Sequence, residues 1–105
     1  MGLKIYWTDI AKIEVKSIYV FLKRSAKIAV AKKITQEITD EVKRLTNQPY
    51  LGHIEQQLKG SSREFRSFIY SNYKIIYWIN LDKNQIEIWD VFDCRQEPLK
   101  VKRTK

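Results

Sequence analysis

REFRSFIYSNYKIIYWINLDKNQIEIWDVFDCRQEP, residues Arg63 to Pro98, reads as three consecutive strands. A two-residue connection, Ser71-Asn72, joins the first pair, and an Asp82-Lys83-Asn84 turn joins the second. Side chains alternate across a strand, so Tyr73, Ile75, Tyr77 and Ile79 point one way and Lys74, Ile76 and Trp78 the other. The first set is apolar enough to face a core. The second carries a cation between apolar neighbours. The last strand runs into Asp93, Cys94 and Arg95, which puts an arginine at a strand end. Together these residues outline a small basic surface suited to phosphate or carboxylate.

Toward the N-terminus, Leu3 to Trp7 is a short strand candidate. Thr8 is a good helix N-cap, and Asp9 falls in the first turn, where the helix dipole favours a negative charge. From there Ile10, Ile13, Ser17, Ile18 and Phe21 recur at helical spacing. Lys23 and Arg24 suit a helix C-terminus, and Ser25 is placed to cap the next helix. That second helix has one regular stripe, Ala31, Ile34, Ile38, Val42 and Leu45, with Lys32, Lys33, Glu37, Glu41 and Lys43 off it. With almost no spacer between them, helices at about residues 9–24 and 26–46 are expected to pack as an antiparallel hairpin. TNQPYLG, residues 46–52, reads as a loop, and His53 to Ser62 fits either a short helical turn or an irregular crossing.

The expected fold class is α+β: an N-terminal strand, an antiparallel helix hairpin, then a three-stranded antiparallel meander. The sheet is expected to be antiparallel because its last three strands are joined by tight turns, with no room for a crossover helix. Both helices then cover one face and leave the face of Lys74, Ile76 and Trp78 at least partly open. With 105 residues the chain is long enough for one core but not two, so residues 1–105 form a single domain with a basic tail from about residue 96.

Twenty Lys and Arg stand against twelve Asp and Glu, a formal charge of +8 that favours acidic partners without choosing among nucleic acid, membrane and protein. The one cysteine, Cys94, excludes an internal disulfide and a cysteine zinc cluster, and it fits a reducing, cytoplasmic setting. The one histidine, His53, lies far off in a probable loop, which argues against a Cys–His nucleophile. MGLKIYWTDI has no long apolar core and no later run nears 18 apolar residues, so neither secretion nor membrane spanning is expected.

No phosphate-cradling glycine loop, zinc motif or nucleophile elbow occurs, and no metal or cofactor is expected. Asp90 and Asp93 fall on opposite sides of a regular strand, so a carboxylate dyad would need a bulge. What remains is a cationic set, Arg63, Arg66, Lys74 and Arg95, interleaved with Phe65, Phe68, Tyr70, Tyr73, Tyr77, Trp78 and Trp89. Arginine forks match phosphate and aromatic rings stack on bases. The plainer reading of the same residues is a core and its solvated face.

The helix hairpin followed by REF, NYKIIYWI and IEIWDVFDCRQEP resembles the RelE/ParE superfamily of bacterial toxins from type II toxin–antitoxin pairs. Tyr73-Lys74-Ile75-Ile76-Tyr77 stands for the family's YRIIY element, with lysine for arginine. Val91 to Pro98 stands for its VFHGRRxP element: Phe92, Arg95 and Pro98 match, while Asp93, Cys94 and Gln96 replace His, Gly and the second Arg. A looser likeness extends through Trp7 and Pro49-x-x-Gly52.

The resemblance implies one of two activities. The RelE-like branch cleaves messenger RNA on the ribosome with sheet-face cations and, in some members, a C-terminal tyrosine. Here Lys74 and Arg95 alone stand on matching positions, and no tyrosine follows Tyr77. The ParE-like branch is associated with DNA gyrase inhibition, and Arg63-Glu64-Phe65 with the NYKIIY strand looks more like it. The preferred reading is therefore a ParE-like toxin, with Arg63, Arg66, Lys74, Trp78 and Arg95 as target- or nucleic-acid-binding residues. Its implied partners are a cognate acidic antitoxin, in a hetero-oligomer, and gyrase. The alternative is a ribosome-dependent endonuclease using Lys74 and Arg95. A third reading is an inert basic binding module, with Asp93 pairing off Arg95.

Overall fold

The computed structural model describes residues 2–95. The basic tail, and the Gln96–Pro98 end of the last motif, lie outside the described residues. The chain runs β1 (Lys4–Trp7), α1 (Asp9–Ser25), α2 (Ile28–Lys43), a 3₁₀ turn (Arg44–Thr46), β2 (His53–Ile54), a second 3₁₀ turn (Gln56–Leu58), β3 (Arg66–Tyr70), β4 (Tyr73–Asn80) and β5 (Gln85–Asp93).

Five strands form one sheet in the order β1-β5-β4-β3-β2. The β3–β4–β5 meander is antiparallel as expected, with Ser71 at φ 58° in the first hairpin and Asn84 at φ 53° closing the second. The sheet as a whole is mixed, which corrects the antiparallel expectation: β1 lies parallel to β5, Lys4 beside Gln85 and Trp7 beside Ile88. Tight turns dictate direction only for the strands they join. β1 is separated from β5 by the helix hairpin and three strands, so no turn constrains its sense.

Thr8 caps α1 as the sequence indicates, its Oγ1 accepting from the Ala11 N–H at 3.2 Å. The buried stripe of α1 shares only Ile18 with the expected one. Ala11 and Ile18 are buried, with Val15 and Leu22 packed beside them, whereas Ile10, Ile13 and Phe21 lie half or more exposed. The helix carries two apolar faces, and the sheet takes the one that begins with the small Ala11. Ser25 does not cap the second helix. It ends α1, and its hydroxyl donates to the Phe21 carbonyl at 2.8 Å, while Lys27 opens α2 without a side-chain cap. The α2 stripe is as read, Ala31, Ile38, Val42 and Leu45 being buried and Ile34 partly so.

Between helices and sheet, Tyr73, Ile75, Tyr77, Ile86, Ile88 and Val91 complete the main core. Each such side chain contributes about 1.5–3 kcal/mol through its removal from water. The opposite face has a core of its own. Leu58 and Phe65, brought over by the segment after β2, bury Ile76 and Phe92 with Trp78, Trp89 and Cys94 alongside. The face expected to be partly open is therefore covered over its centre and open only toward its edges.

Candidate functional site

A bulge in β5 sets the geometry of the outer face. Ile76 pairs with Asp90 but Tyr77 pairs with Ile88, so Trp89 is the extra residue. Past the bulge every side chain changes face. Asp90 now lies beside Ile76 and Asp93 beside Tyr73, still on opposite faces, so the bulge creates no carboxylate dyad. Trp89 joins Trp78 and Phe65 on the outer face, Phe65 meeting its ring edge to face at 5.4 Å.

The four sequence-predicted cations do not form one patch. Arg66 pairs with Tyr77 in the β-ladder and so lies on the helix-bearing face. Its guanidinium donates to the Gly52 carbonyl at 2.9 Å, lies 3.6 Å from Glu64 and stacks on Tyr50 at 4.7 Å. Lys74 faces outward but is sealed: its Nζ donates to Glu55 Oε1 at 2.8 Å, with side chains 19% and 5% exposed. Arg95 stands at the end of β5, exposed, with Asp93 at 3.4 Å, and its backbone N–H also donates to that carboxylate at 2.9 Å. The replacement of the family's histidine by Asp93 thus supplies the partner of Arg95.

Arg63 is different. It lies 5.0 Å from the ring centroids of both Trp78 and Trp89, and no carboxylate of the described residues lies within 4 Å. Arg63 and Trp78 are therefore the two predicted residues that the fold brings together.

Two carboxylates that sequence reasoning missed organise this face. Burial pushes the Glu55 carboxyl up, but hydrogen bonds from Lys74, the Gln57 backbone and Ser67, with the Lys74 charge, outweigh it and hold it below its ordinary value. Burial likewise raises Glu87, and donors from Asn80, Gln85 and Trp89 at 2.9, 2.8 and 3.1 Å, with the charge of Lys83, bring it below the ordinary range. Glu55 sat in the segment with no clear periodicity and gave no signal. Glu87 had one, since alternation sets it among polar neighbours on one side of the strand. Beside Glu87, Tyr6 of β1, Arg63, Trp78, Asn80 and Lys83 border an open cleft of about 620 Å³.

On the helix side, α1 keeps an uncovered apolar groove of about 560 Å³ lined by Ile13, Ser17, Val20 and Phe21, with Lys16 and Arg24 at its margins. Among the described residues, no cluster of His, Cys, Asp and Glu fits a metal ion. No helix among them is long and apolar enough to cross a membrane.

A mixed five-stranded sheet backed by a helix hairpin, with Arg95 just past its last strand, has the architecture of small RelE/ParE-type toxins. The description "ParE toxin of type II toxin-antitoxin system, parDE" matches residues 5–98, nearly the whole chain, and the protein belongs to that family. Its fold is similar to one from the chromosomal ParDE toxin–antitoxin system of P. aeruginosa, at 18% identity and a TM-score of 0.74, covering 88% of this chain and 96% of that one. It is also similar to a chain of the toxin–antitoxin complex RelBE2 from Mycobacterium tuberculosis, at 14% identity and 0.66, covering 89% and 99%. A free mutant form of E. coli RelE aligns at 15% identity and 0.60, over 98% of both chains. No curated protein sequence matches this chain.

Proposed function

We propose that this chain acts as a gyrase-inhibiting toxin, in the cytoplasm, and is neutralised by a cognate acidic antitoxin in a hetero-oligomer. The choice of gyrase over message cleavage rests on one observation, the burial of Lys74 against Glu55. A phosphoryl-transfer site needs unspent cations where charge develops in the transition state. Here one of the two cations on matching positions is sealed by a carboxylate, and the other, Arg95, is matched by Asp93. Inhibition by surface contact has no such requirement. Arg63, Arg66, Lys74, Trp78 and Arg95 are then read as the contact set, with the exposed Arg63 and Arg95 meeting the target first and the others supporting the surface.

The α1 groove supplies the reading of the antitoxin. An apolar trough with Lys16 and Arg24 at its margins suits an amphipathic helix whose polar side is acidic. A segment that orders on binding and pairs with a +8 chain is expected to lose affinity as salt rises.

Controlled expression in a bacterial host tests the reading, with and without an adjacent acidic reading frame. Growth arrest with DNA-damage signalling, relieved by the neighbouring frame, is expected. Arrest with cleaved messages and normal supercoiling would assign the alternative, the ribosome-dependent endonuclease.

A further inference from the structure

We propose that the cleft between β1, the β4–β5 turn and Arg63 binds a nucleotide, its phosphate on Arg63 and Lys83 and its base against the Tyr6 ring. This goes beyond the toxin reading and stands on the cleft alone.

The cations come first. Arg66, Lys74 and Arg95 each have a carboxylate within 4 Å, whereas Arg63 and Lys83 have none among the described residues. Arg63 is held by the faces of Trp78 and Trp89, and its guanidinium makes no hydrogen bond to any of the described residues. Its donors are therefore unspent, and a guanidinium fixed by aromatic faces is pre-organised for phosphate oxygens. Lys83, on the turn across the cleft, adds a second positive charge that Glu87 senses.

The floor is rigid. Glu87 is buried, and its two oxygens are filled by the Asn80 amide, the Gln85 amide and the Trp89 indole N–H. It thus locks the orientation of three neighbours; it stays ionised, and the positive charge of Lys83 across the cleft offsets it. Each amide keeps a second N–H, able to meet a polar ring edge. Tyr6 is 48% exposed and offers a flat apolar surface at the rim. A planar polar ring carrying a multiply charged anion satisfies all three elements, and about 620 Å³ falls within the size range of small-ligand sites. An acidic peptide would use the cations but leave the ring platform and the amides idle.

The test is titration of the full chain with adenosine 5′-monophosphate, followed by tryptophan fluorescence, since Trp78 and Trp89 border the cleft. Adenosine, inorganic phosphate, a 5′-phosphorylated dinucleotide and a glutamate-rich peptide are run beside it. Saturable binding of the nucleotide is expected, weakened about tenfold by Arg63→Gln and by Lys83→Gln and unchanged by Lys33→Gln on α2. Adenosine and phosphate are each expected to bind about tenfold or more weakly. Binding of the dinucleotide alone, with the same Arg63 dependence, would keep the site and make a strand end its ligand. Equal binding by the Arg63→Gln chain, phosphate competing as well as the nucleotide, binding of the peptide alone, or no binding would each overturn the proposal. None of these results depends on toxicity.

Discussion

Lys74 Nζ lies 2.8 Å from Glu55 Oε1, and the same oxygen accepts from Ser67 Oγ at 2.8 Å. A lysine that alternation places on an exposed sheet face is thereby turned into part of the molecule's fabric, tying β4 and β3 to the segment after β2. Removing one partner leaves the other charge buried and unmatched. Glu55→Ala is expected to cost about 3 kcal/mol, at the low end for a buried pair because Lys74 retains some access to water. The double variant Glu55→Leu with Lys74→Met is expected to cost less than the two single changes together. Urea denaturation of the wild type, Glu55→Ala, Glu55→Leu, Lys74→Met and the double variant measures both quantities.

Acid sensitivity follows from the same carboxylates. Glu55, Glu87 and Asp93 are all held below their ordinary values in the folded chain. A depressed folded value means that the unfolded chain binds the proton more readily. The stabilisation is therefore complete above the ordinary carboxylate range and is lost as pH falls below it, toward each folded value. Melting temperature should be flat from neutral pH down to that range and then drop. Glu55→Gln should melt lower at neutral pH but show a shallower drop on acidification. Parallel curves for the two proteins would contradict the assignment.

Tyr77 anchors the loop that leads out of the helices. Its buried hydroxyl accepts from the Gly52 N–H at 2.9 Å and donates to the Pro49 carbonyl at 2.8 Å. Tyr77→Phe strands both backbone groups and is expected to cost about 1–3 kcal/mol. Gly52→Ala should destabilise as well, since a Cβ there would stand 2.7 Å from the Ser67 carbonyl oxygen, a backbone atom that cannot swing aside. Calorimetry of both variants checks the pair.

The outer face of α1 separates folding from partner binding. Ile13 and Phe21 are 60% and 51% exposed, so Ile13→Glu and Phe21→Glu should leave stability within about 0.5 kcal/mol. If an antitoxin helix seats there, the Phe21 change should cost about 2 kcal/mol or more of binding, the scale of an aromatic anchor. Isothermal titration with the product of the adjacent reading frame measures it. Undiminished affinity would move the antitoxin elsewhere.

The sequence made the meander, the Thr8 cap and the α2 stripe legible because each is a local signal: a period of two, a capping residue, a period of 3.6. What it left dark was long-range. No local pattern says which of two apolar faces of α1 meets the sheet, so Ala11, Val15 and Leu22 were masked by the larger Ile10, Ile13 and Phe21, and Ile18 alone was read correctly. Nor does any pattern set β1 parallel to β5. The candidate site was legible by half. Alternation put Lys74 and Trp78 on one face, but Glu55, which neutralises Lys74, comes from an aperiodic segment closed over the sheet by tertiary packing. Arg66 was grouped with Lys74 by charge, although it lies on the opposite face.

The central proposal is that this chain inhibits gyrase by contact and does not cleave RNA. Purified chain, titrated into a DNA gyrase supercoiling reaction and into a ribosome-programmed message cleavage reaction, tests it most directly. The account predicts inhibited supercoiling with intact message, and supercoiling inhibition weakened by Arg95→Ala. Cleaved message with normal supercoiling, abolished by Lys74→Ala in a folded protein, would contradict it.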